Sequence, residues 1–321
     1  MPPRHIRKTF FKILLFIIIT LTIPTAFTLF FGKKTEGRIY VTSDSGRFIT
    51  MEANGITEKM DVESFIPCAI MGQLSIENEE ELLKSFAVII RTYIYKEMGD
   101  KDSISADKLN IPYVSYSEME ALWEDKFPDN YNRLMKIMSN TSLEIITSNG
   151  NVISPYYHSI SDGNTRSGNE VLGEEFSYMC SAACPDDKAS TDYFKAYYYE
   201  NADFAKLVRT IDSEIIIDDT APLENVQIVS RDGAGYVMDL SIGNRTVNGT
   251  PFYEAMNINS PSFMIEEYNG GVRITTYGKG HGLGVSLCYA SVLAKNGSSY
   301  KEILNYFYTN IDISSVKSAT G

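Results

Sequence analysis

The spacing of apolar residues divides the chain into an N-terminal apolar run and a longer region of mixed pattern. Residues 13–32 form a run of 20 residues that is mostly apolar, which is the length of a membrane-spanning helix. More basic residues precede the run than follow it, so the N-terminus is expected in the cytoplasm and everything after Lys33 outside. A cleaved signal peptide is the alternative, but the run is long for one and no Ala-x-Ala-like site follows. The pattern therefore predicts a single-pass protein of the cell membrane with an extracytoplasmic C-terminal domain.

Apolar residues at helical spacing predict several helices after this run. Asp61 is a candidate N-cap for a helix that ends near Gly72. Asn78 and Glu81 have the spacing of a capping pair for a second helix, in which apolar residues recur from Leu82 to Ile94. Further helices are predicted around 118–138, over 285–295 and after Ser299, which Glu302 follows at capping-box spacing.

Alternating apolar and polar residues predict strands that are joined by tight turns. The predicted strands are 38–42 with 47–52, 143–147 with 152–157, 226–229 with 236–242, and 272–277. Strands and helices are mixed without a βαβ rhythm, which favours an α+β architecture. The expected organisation is a cytoplasmic N-terminus (1–12), a transmembrane helix (13–32), a linker with a hairpin (33–60), one large domain (61–313) and a tail (314–321).

Charge and cysteine content narrow the possible functions. The net charge is −12, and no basic stripe is present, so a nucleic acid is a poor candidate for a partner. Four cysteines are too few and too scattered for a disulfide scaffold, although Cys180 and Cys184 are close enough in sequence to leave a local disulfide open. Only His158 and His281 follow the apolar run, so no structural metal site is expected.

The residues 278–284 place four alternating glycines around His281, between a predicted strand and a predicted helix. Such glycines permit positive φ angles and close approach of the backbone to a ligand. No register of these glycines satisfies G-x-G-x-x-G, so they do not predict a dinucleotide site. Taken alone, His281 in such a turn is more often a hydrogen-bonded structural residue than a catalytic one.

Four motifs together give the chain a specific resemblance. They are Ala87 with Arg91-Thr92-Tyr93, Tyr157-His158-Ser159-Ile160-Ser161-Asp162-Gly163-Asn164-Thr165, Gly280-His281-Gly282-Leu283-Gly284-Val285-Ser286, and Tyr300-Lys301-Glu302-Ile303-Leu304 with Tyr308. In this order the chain resembles the stage II sporulation protein D and amidase-enhancer family. The resemblance implies action on bacterial peptidoglycan, either as a lytic transglycosylase or as an enhancer of a wall amidase.

The resemblance also implies a catalytic glutamate eighteen positions before the arginine of the first motif. In this chain that position holds Gln73, counted back from Arg91. An amide can neither protonate a glycosidic oxygen nor accept the proton of the attacking hydroxyl, so loss of the acid should leave very little activity. Glu77, Asp162 and Glu170 lie near the motifs and could substitute, but nothing in the sequence places one of them at the glycosidic oxygen.

The sequence hypothesis is a catalytically degenerate relative that works at the peptidoglycan layer, in sporulation or wall remodelling. The resemblance implies that glycan strands bind a cleft and that a wall amidase or sporulation membrane proteins are further candidate partners. No cofactor or metal is expected. An active lytic transglycosylase with another acid and an amidase enhancer are the alternatives. The expected site consists of Gln73 at the catalytic position and the glycan-binding residues Arg91, His158, Ser159, Ser161, Thr165, His281 and Ser286.

Overall fold

The structure, a computed structural model, describes residues 44–53 and 56–316. The predicted membrane segment (13–32) and the predicted strand 38–42 lie outside the described residues. Within the described ranges, no helix is both long enough and apolar enough to span a bilayer.

Helices and strands are mixed along the described part of the chain. The helices are α1 (Val62–Met71), α2 (Glu80–Met98), α3 (Ala106–Leu109), α4 (Tyr116–Trp123), α5 (Phe127–Asn140), α6 (Gly168–Leu172), α7 (Asn201–Val208), α8 (Gly249–Ala255), α9 (Leu287–Lys295) and α10 (Tyr300–Phe307). The strands are β1 (Phe48–Ala53), β2 (Ile56–Asp61), β3 (Ser103–Ser105), β4 (Glu144–Ser148), β5 (Asn151–Val152), β6 (Tyr157–His158), β7 (Phe194–Tyr199), β8 (Val226–Arg231), β9 (Val237–Ile242), β10 (Arg245–Asn248), β11 (Phe263–Tyr268), β12 (Gly271–Tyr277), β13 (Val285–Ser286) and β14 (Asp312–Ser315). The mixture confirms the predicted α+β class.

The strands form several small sheets rather than one large sheet. Their strand orders are β2-β1-β3, β14-β4-β5, β10-β9-β8, β11-β12-β7 and the pair β13-β6. Most neighbours are antiparallel, but β13 runs parallel to β6, so that Val285 faces Tyr157 and Ser286 faces His158. This short parallel pair joins two of the sequence motifs.

The larger hydrophobic core surrounds α2. Leu82, Phe86 and Ile90 of this helix are fully or almost fully buried, as its apolar spacing predicts. Leu304 and Phe307 of α10 belong to the same core, which α1, α5, β4 and α9 complete. The chain therefore buries its longest helix among segments that are distant in sequence.

A second core lies among β7 to β12, α7 and α8. Phe204, Phe252 and Phe263 are fully buried there, and the rings of Phe252 and Phe263 are stacked with centroids 5.2 Å apart. The sequence predicts β8, β9 and β12 of this region, whereas β7, β10 and β11 are additional strands.

A buried ion pair links α1 and α2 inside the larger core. The guanidinium of Arg91 donates to both carboxylate oxygens of Glu63, from Nε at 2.6 Å and from Nη2 at 2.8 Å. Its Nη1 donates to the carbonyl oxygen of Glu144 in β4 at 3.1 Å. Arg91 and Glu63 have almost no exposed surface, so water cannot reach their charged groups. The bidentate pair supplies the hydrogen bonds that these groups need.

Two local predictions differ from the structure, and one predicted strand has a partner that the sequence does not predict. β1 pairs with β2 in an antiparallel register that joins Phe48 to Asp61. The predicted helix around 118–138 is two helices, since Glu124 takes a positive φ and Pro128 begins a new helix rather than continuing the old one. The N-cap of α2 is Glu79, one residue after the predicted Asn78.

The capping predictions at the other helix ends are confirmed. The Asp61 side chain accepts a hydrogen bond from the backbone N–H of Glu63, which caps α1. Ser299 and Glu302 form the reciprocal capping box of α10. The thiols of Cys180 and Cys184, whose pairing the sequence leaves open, are free.

Replacement of Arg91 by methionine tests the ion pair. We expect Arg91→Met to lower the free energy of unfolding by about 3–5 kcal/mol, because it leaves the carboxylate of Glu63 buried without a cation. The measurement is urea denaturation followed by circular dichroism. As a control, Lys295→Met removes a longer contact with Glu79 at an exposed position, and should cost less than about 1 kcal/mol. Equal losses in the two variants would contradict this account.

Candidate functional site

Three segments that are far apart in sequence meet at the candidate site. The first is the end of α1 with Gln73, the second is residues 156–166, which we call the central loop, and the third is residues 278–284, which we call the glycine turn. Besides the β6–β13 pair, single bridges join Ile160 to Lys279 and Arg166 to Leu283. The central loop and the glycine turn therefore lie side by side along most of their lengths.

The glycines of the glycine turn are packed against other parts of the chain. Gly284 has a φ of +67°, and a Cβ atom there would lie 1.8 Å from the carbonyl oxygen of Tyr156. At Gly280, with a φ of +109°, a Cβ would lie 2.7 Å from the Cβ of His158. Glycine is required at these positions both by the left-handed backbone and by the contact with the central loop.

Gln73 lies at the end of α1 and is bonded to the central loop. The hydroxyl of Tyr157 donates to Oε1 of Gln73 at 2.7 Å. Burial raises the pKa of Tyr157, so the phenol keeps the proton that it donates. The ring of Tyr157 also contacts Phe86 of α2 edge to face, with centroids 5.0 Å apart. The amide of Gln73 is thus half-buried and hydrogen-bonded.

The two histidines of the motifs lie next to each other. Their ring centroids are 5.8 Å apart. Nδ1 of His158 is 3.0 Å from the carbonyl oxygen of Leu283, which assigns the proton to Nδ1 and leaves the buried Nε2 without a partner among the described residues. Nδ1 of His281 accepts a hydrogen bond from the backbone N–H of Leu283 at 3.0 Å. One residue of the glycine turn therefore fixes the tautomers of both rings.

Both imidazoles are neutral at physiological pH. Burial lowers the pKa of His158 to about 3, and the neighbouring His281 contributes further. Burial also lowers the pKa of His281 to about 4, with a contribution from the charge of Arg166. Neither ring can supply a positive charge to a ligand near neutral pH.

A buried carboxylate joins the central loop to the start of α9. Oδ2 of Asp187 accepts hydrogen bonds from the backbone N–H of Ser161 at 2.8 Å and from its hydroxyl at 2.6 Å. The hydroxyl of Ser286, which also caps α9, donates to the same oxygen at 2.7 Å. Asp187, Ser161 and Ser286 are fully buried, so this junction holds the two motifs together.

The other predicted glycan-binding residues differ in their exposure. Thr165 is fully buried, where its hydroxyl donates to the carbonyl oxygen of Cys180 and accepts from the N–H of Ala182. Arg91 is enclosed with Glu63 in the core, so its guanidinium has no exposed surface for a glycan. Ser159 is exposed. The structure therefore brings the motifs together, but it turns most of their polar side chains inward.

An open cleft of about 600 Å³ lies where the central loop meets the glycine turn. Tyr156, Tyr157 and His281 contribute to one part of its lining, and Tyr93 and Glu97 of α2 contribute to another. Gln73 does not itself line the cleft, but it is joined to the cleft through the hydroxyl of Tyr157. Tyrosines offer large apolar faces together with hydroxyl groups, which suits ligands that have both apolar and polar surfaces.

The carboxylates that could replace a missing acid have other partners or positions. Asp162 accepts hydrogen bonds from the hydroxyls of Tyr193 and Ser262. Glu170 accepts from the backbone N–H of Gly233, and Glu77 is exposed beyond the end of α1. None of these three lines the cleft.

Two residues of the site could not be found from the sequence. Asp187 lies in a polar loop outside every motif, and no pattern predicts its burial. Glu97 lies four residues after Tyr93, which places both side chains on one face of α2, but this spacing alone does not indicate a cleft. Among the described residues, no group of three histidine, cysteine, aspartate or glutamate side chains is placed to hold a metal ion.

The close contact at Gly284 gives a stability prediction. We expect Gly284→Ala to lower the free energy of unfolding by on the order of 4 kcal/mol, because the left-handed backbone and the clash with Tyr156 add together. Gly150→Ala is the matched control: its φ is +76° and nothing lies within 4 Å, so only the backbone penalty of about 1–2 kcal/mol applies. Chemical denaturation of both variants measures the difference. Similar losses would show that the contact with Tyr156 is unimportant.

The two depressed histidine pKa values give a pH prediction. A folded pKa of about 3 for His158 and about 4 for His281 lies below the ordinary value, so between those values and neutrality the unfolded chain binds more protons. Stability due to these rings is therefore fully present above about pH 6.5 and declines as the pH falls toward 4. Titration of the imidazole Cε1–H resonances by NMR measures both values, with urea-unfolded protein as the control. Folded-state values near the ordinary one would contradict the burial account.

Comparisons with known proteins agree with the motifs over most of the chain. No family model matches. The chain is 24% identical to stage II sporulation protein D of Bacillus amyloliquefaciens over 274 residues, which cover 83% of this chain and 78% of that protein. It is also 24% identical to stage II sporulation protein D of Bacillus subtilis (strain 168) over 271 residues, covering 82% and 77%. An uncharacterised protein of Brachyspira hyodysenteriae is 24% identical over 303 residues, covering 88% and 77%. These similarities support a relationship to the stage II sporulation protein D family.

Proposed function

We propose that this chain is a sporulation protein D-like protein that binds peptidoglycan glycan strands without cleaving them. The observation that carries the proposal is the pairing of the Gln73 amide with Tyr157 beside the tyrosine-lined cleft. The cleft offers a binding surface, while the position of the expected acid holds a group that cannot transfer a proton. Residues 13–32 would anchor the protein in the cell membrane and present the cleft to the wall layer.

Several features of the cleft suit a glycan strand. The aromatic side chains of Tyr93, Tyr156 and Tyr157 can stack on the apolar faces of sugar rings. Asn110, at one edge, and the hydroxyl-bearing Ser154 provide hydrogen-bonding groups for sugar hydroxyls.

The residues around Gln73 retain a framework in which a carboxyl group could act. Gln and Glu have nearly the same volume, and Oε1 of Gln73 already accepts the hydrogen bond from Tyr157. In a Gln73→Glu variant the same phenol would donate to the carboxylate, which favours its charged form, whereas partial burial favours the neutral form. The two effects oppose each other, so the hydrogen bond limits how far the carboxyl pKa rises.

The activity test compares the wild-type chain with Gln73→Glu. We expect wild-type protein in uncharged detergent to produce no 1,6-anhydromuramoyl ends from denuded glycan strands, and Gln73→Glu to produce measurable amounts. The gain should be within the range of about 10² to 10⁴ over background that general acid–base catalysis supplies. Mass analysis of the glycan ends measures the product. Adding Tyr157→Phe to Gln73→Glu removes the hydrogen bond that favours the carboxylate. It should therefore move the alkaline limb of activity, where the acid loses its proton, to higher pH.

The control is Gln73→Asn, which keeps an amide and should stay inactive. Robust cleavage by the wild-type chain would overturn the proposal and require a different acid. Failure of both the wild-type chain and Gln73→Glu to bind glycan strands would overturn the assignment of the cleft itself.

A further inference from the structure

The charge of the cleft is set by one side chain. Glu97, in the last turn of α2, is exposed and contributes to the lining of the cleft. Its carboxylate makes no hydrogen bond or ion pair with the part of the chain that the structure describes, whereas most other carboxylates near the site are bonded to serine, tyrosine or backbone groups. An unpaired carboxylate in a cleft is available to a ligand.

No positive charge in the cleft lining balances Glu97. The lining contains no lysine or arginine among the described residues, and His281 is neutral because burial lowers its pKa to about 4. Arg166, the nearest cation to His281, is buried in an ion pair with Asp232. The cleft therefore carries one negative charge at neutral pH.

The negative charge lies beside aromatic rings. Tyr93 is one helical turn before Glu97 on the same face of α2, and Tyr156 and Tyr157 belong to the same cleft. The faces of tyrosine rings attract cations, and a carboxylate accepts charge-assisted hydrogen bonds from ammonium groups.

We propose that the cleft prefers glycan in which amino sugars carry a free ammonium group, that is, glucosamine units that lack the N-acetyl group. This inference rests on the proposed glycan-binding function and specifies its substrate class. The ammonium of such a unit donates to Glu97 while the sugar ring lies against the tyrosines. An N-acetylated unit can make the ring contact but cannot supply the charge.

The test compares two oligosaccharide probes that differ only in whether their amino groups are acetylated. The full chain is kept in uncharged detergent at a mildly acidic pH, at which the amines of the probe are protonated. We expect it to bind a β-1,4-linked glucosamine oligosaccharide about tenfold more tightly than the N-acetylglucosamine oligosaccharide of equal length. Isothermal titration calorimetry measures both affinities. Glu97→Gln should abolish the preference, so that the two probes bind with similar affinity.

A matched control separates local recognition from the attraction of any polycation to an acidic protein. Glu267 is exposed on β11, outside the cleft lining, so Glu267→Gln removes the same charge elsewhere and should keep the preference. Equal loss in the two variants, or equal binding of the two probes by the wild-type chain, would overturn the inference and leave the proposed glycan binding intact. Failure of the wild-type chain to bind either probe would also overturn the inference, whereas the proposed glycan binding is decided by the denuded strands.

Discussion

The architecture of the site depends on the close contact between the glycine turn and the central loop. Two backbones can approach this closely only where side chains are absent, as at Gly280 and Gly284. The contact brings Leu283 between the two histidines, where its carbonyl oxygen and its N–H determine which nitrogen of each ring carries a proton. Tautomer, ring orientation and burial of both histidines thus follow from a single backbone arrangement.

The polar residues of the motifs mainly maintain this arrangement. Ser161 and Ser286 bind the buried carboxylate of Asp187, and Arg91 binds that of Glu63. Each buried hydrogen bond replaces one that water would otherwise make, so loss of either partner would leave an unsatisfied group. Motif residues of this kind can persist in a protein whose catalytic acid is absent, because the fold needs them independently of catalysis.

The sequence predicts local structure better than long-range pairing. Caps and helical spacing identify α1, α2 and α10, because those signals arise from neighbouring residues. The partner of β1 and the strands β7 and β11 depend on contacts across the chain, which no local pattern encodes. At the site, the motifs indicate which segments meet, but polarity alone does not reveal whether a serine or an arginine faces a ligand or the core. Glu97 escapes sequence reasoning because an exposed glutamate on a helix is ordinary until the opposite wall of its cleft is known.

The elements α10 and β14 complete the core that α1 and α2 begin. Ile313 of β14 faces Ile146 of β4, and Phe307 of α10 is buried in the core around α2. During synthesis, α2 would therefore emerge well before the segments that cover it. Until those segments arrive, its apolar surface is exposed to water and to other chains, which makes the partly synthesised protein a natural client for chaperones. Truncation near the C-terminus would be expected to prolong that aggregation-prone state rather than release a smaller, independently folded unit.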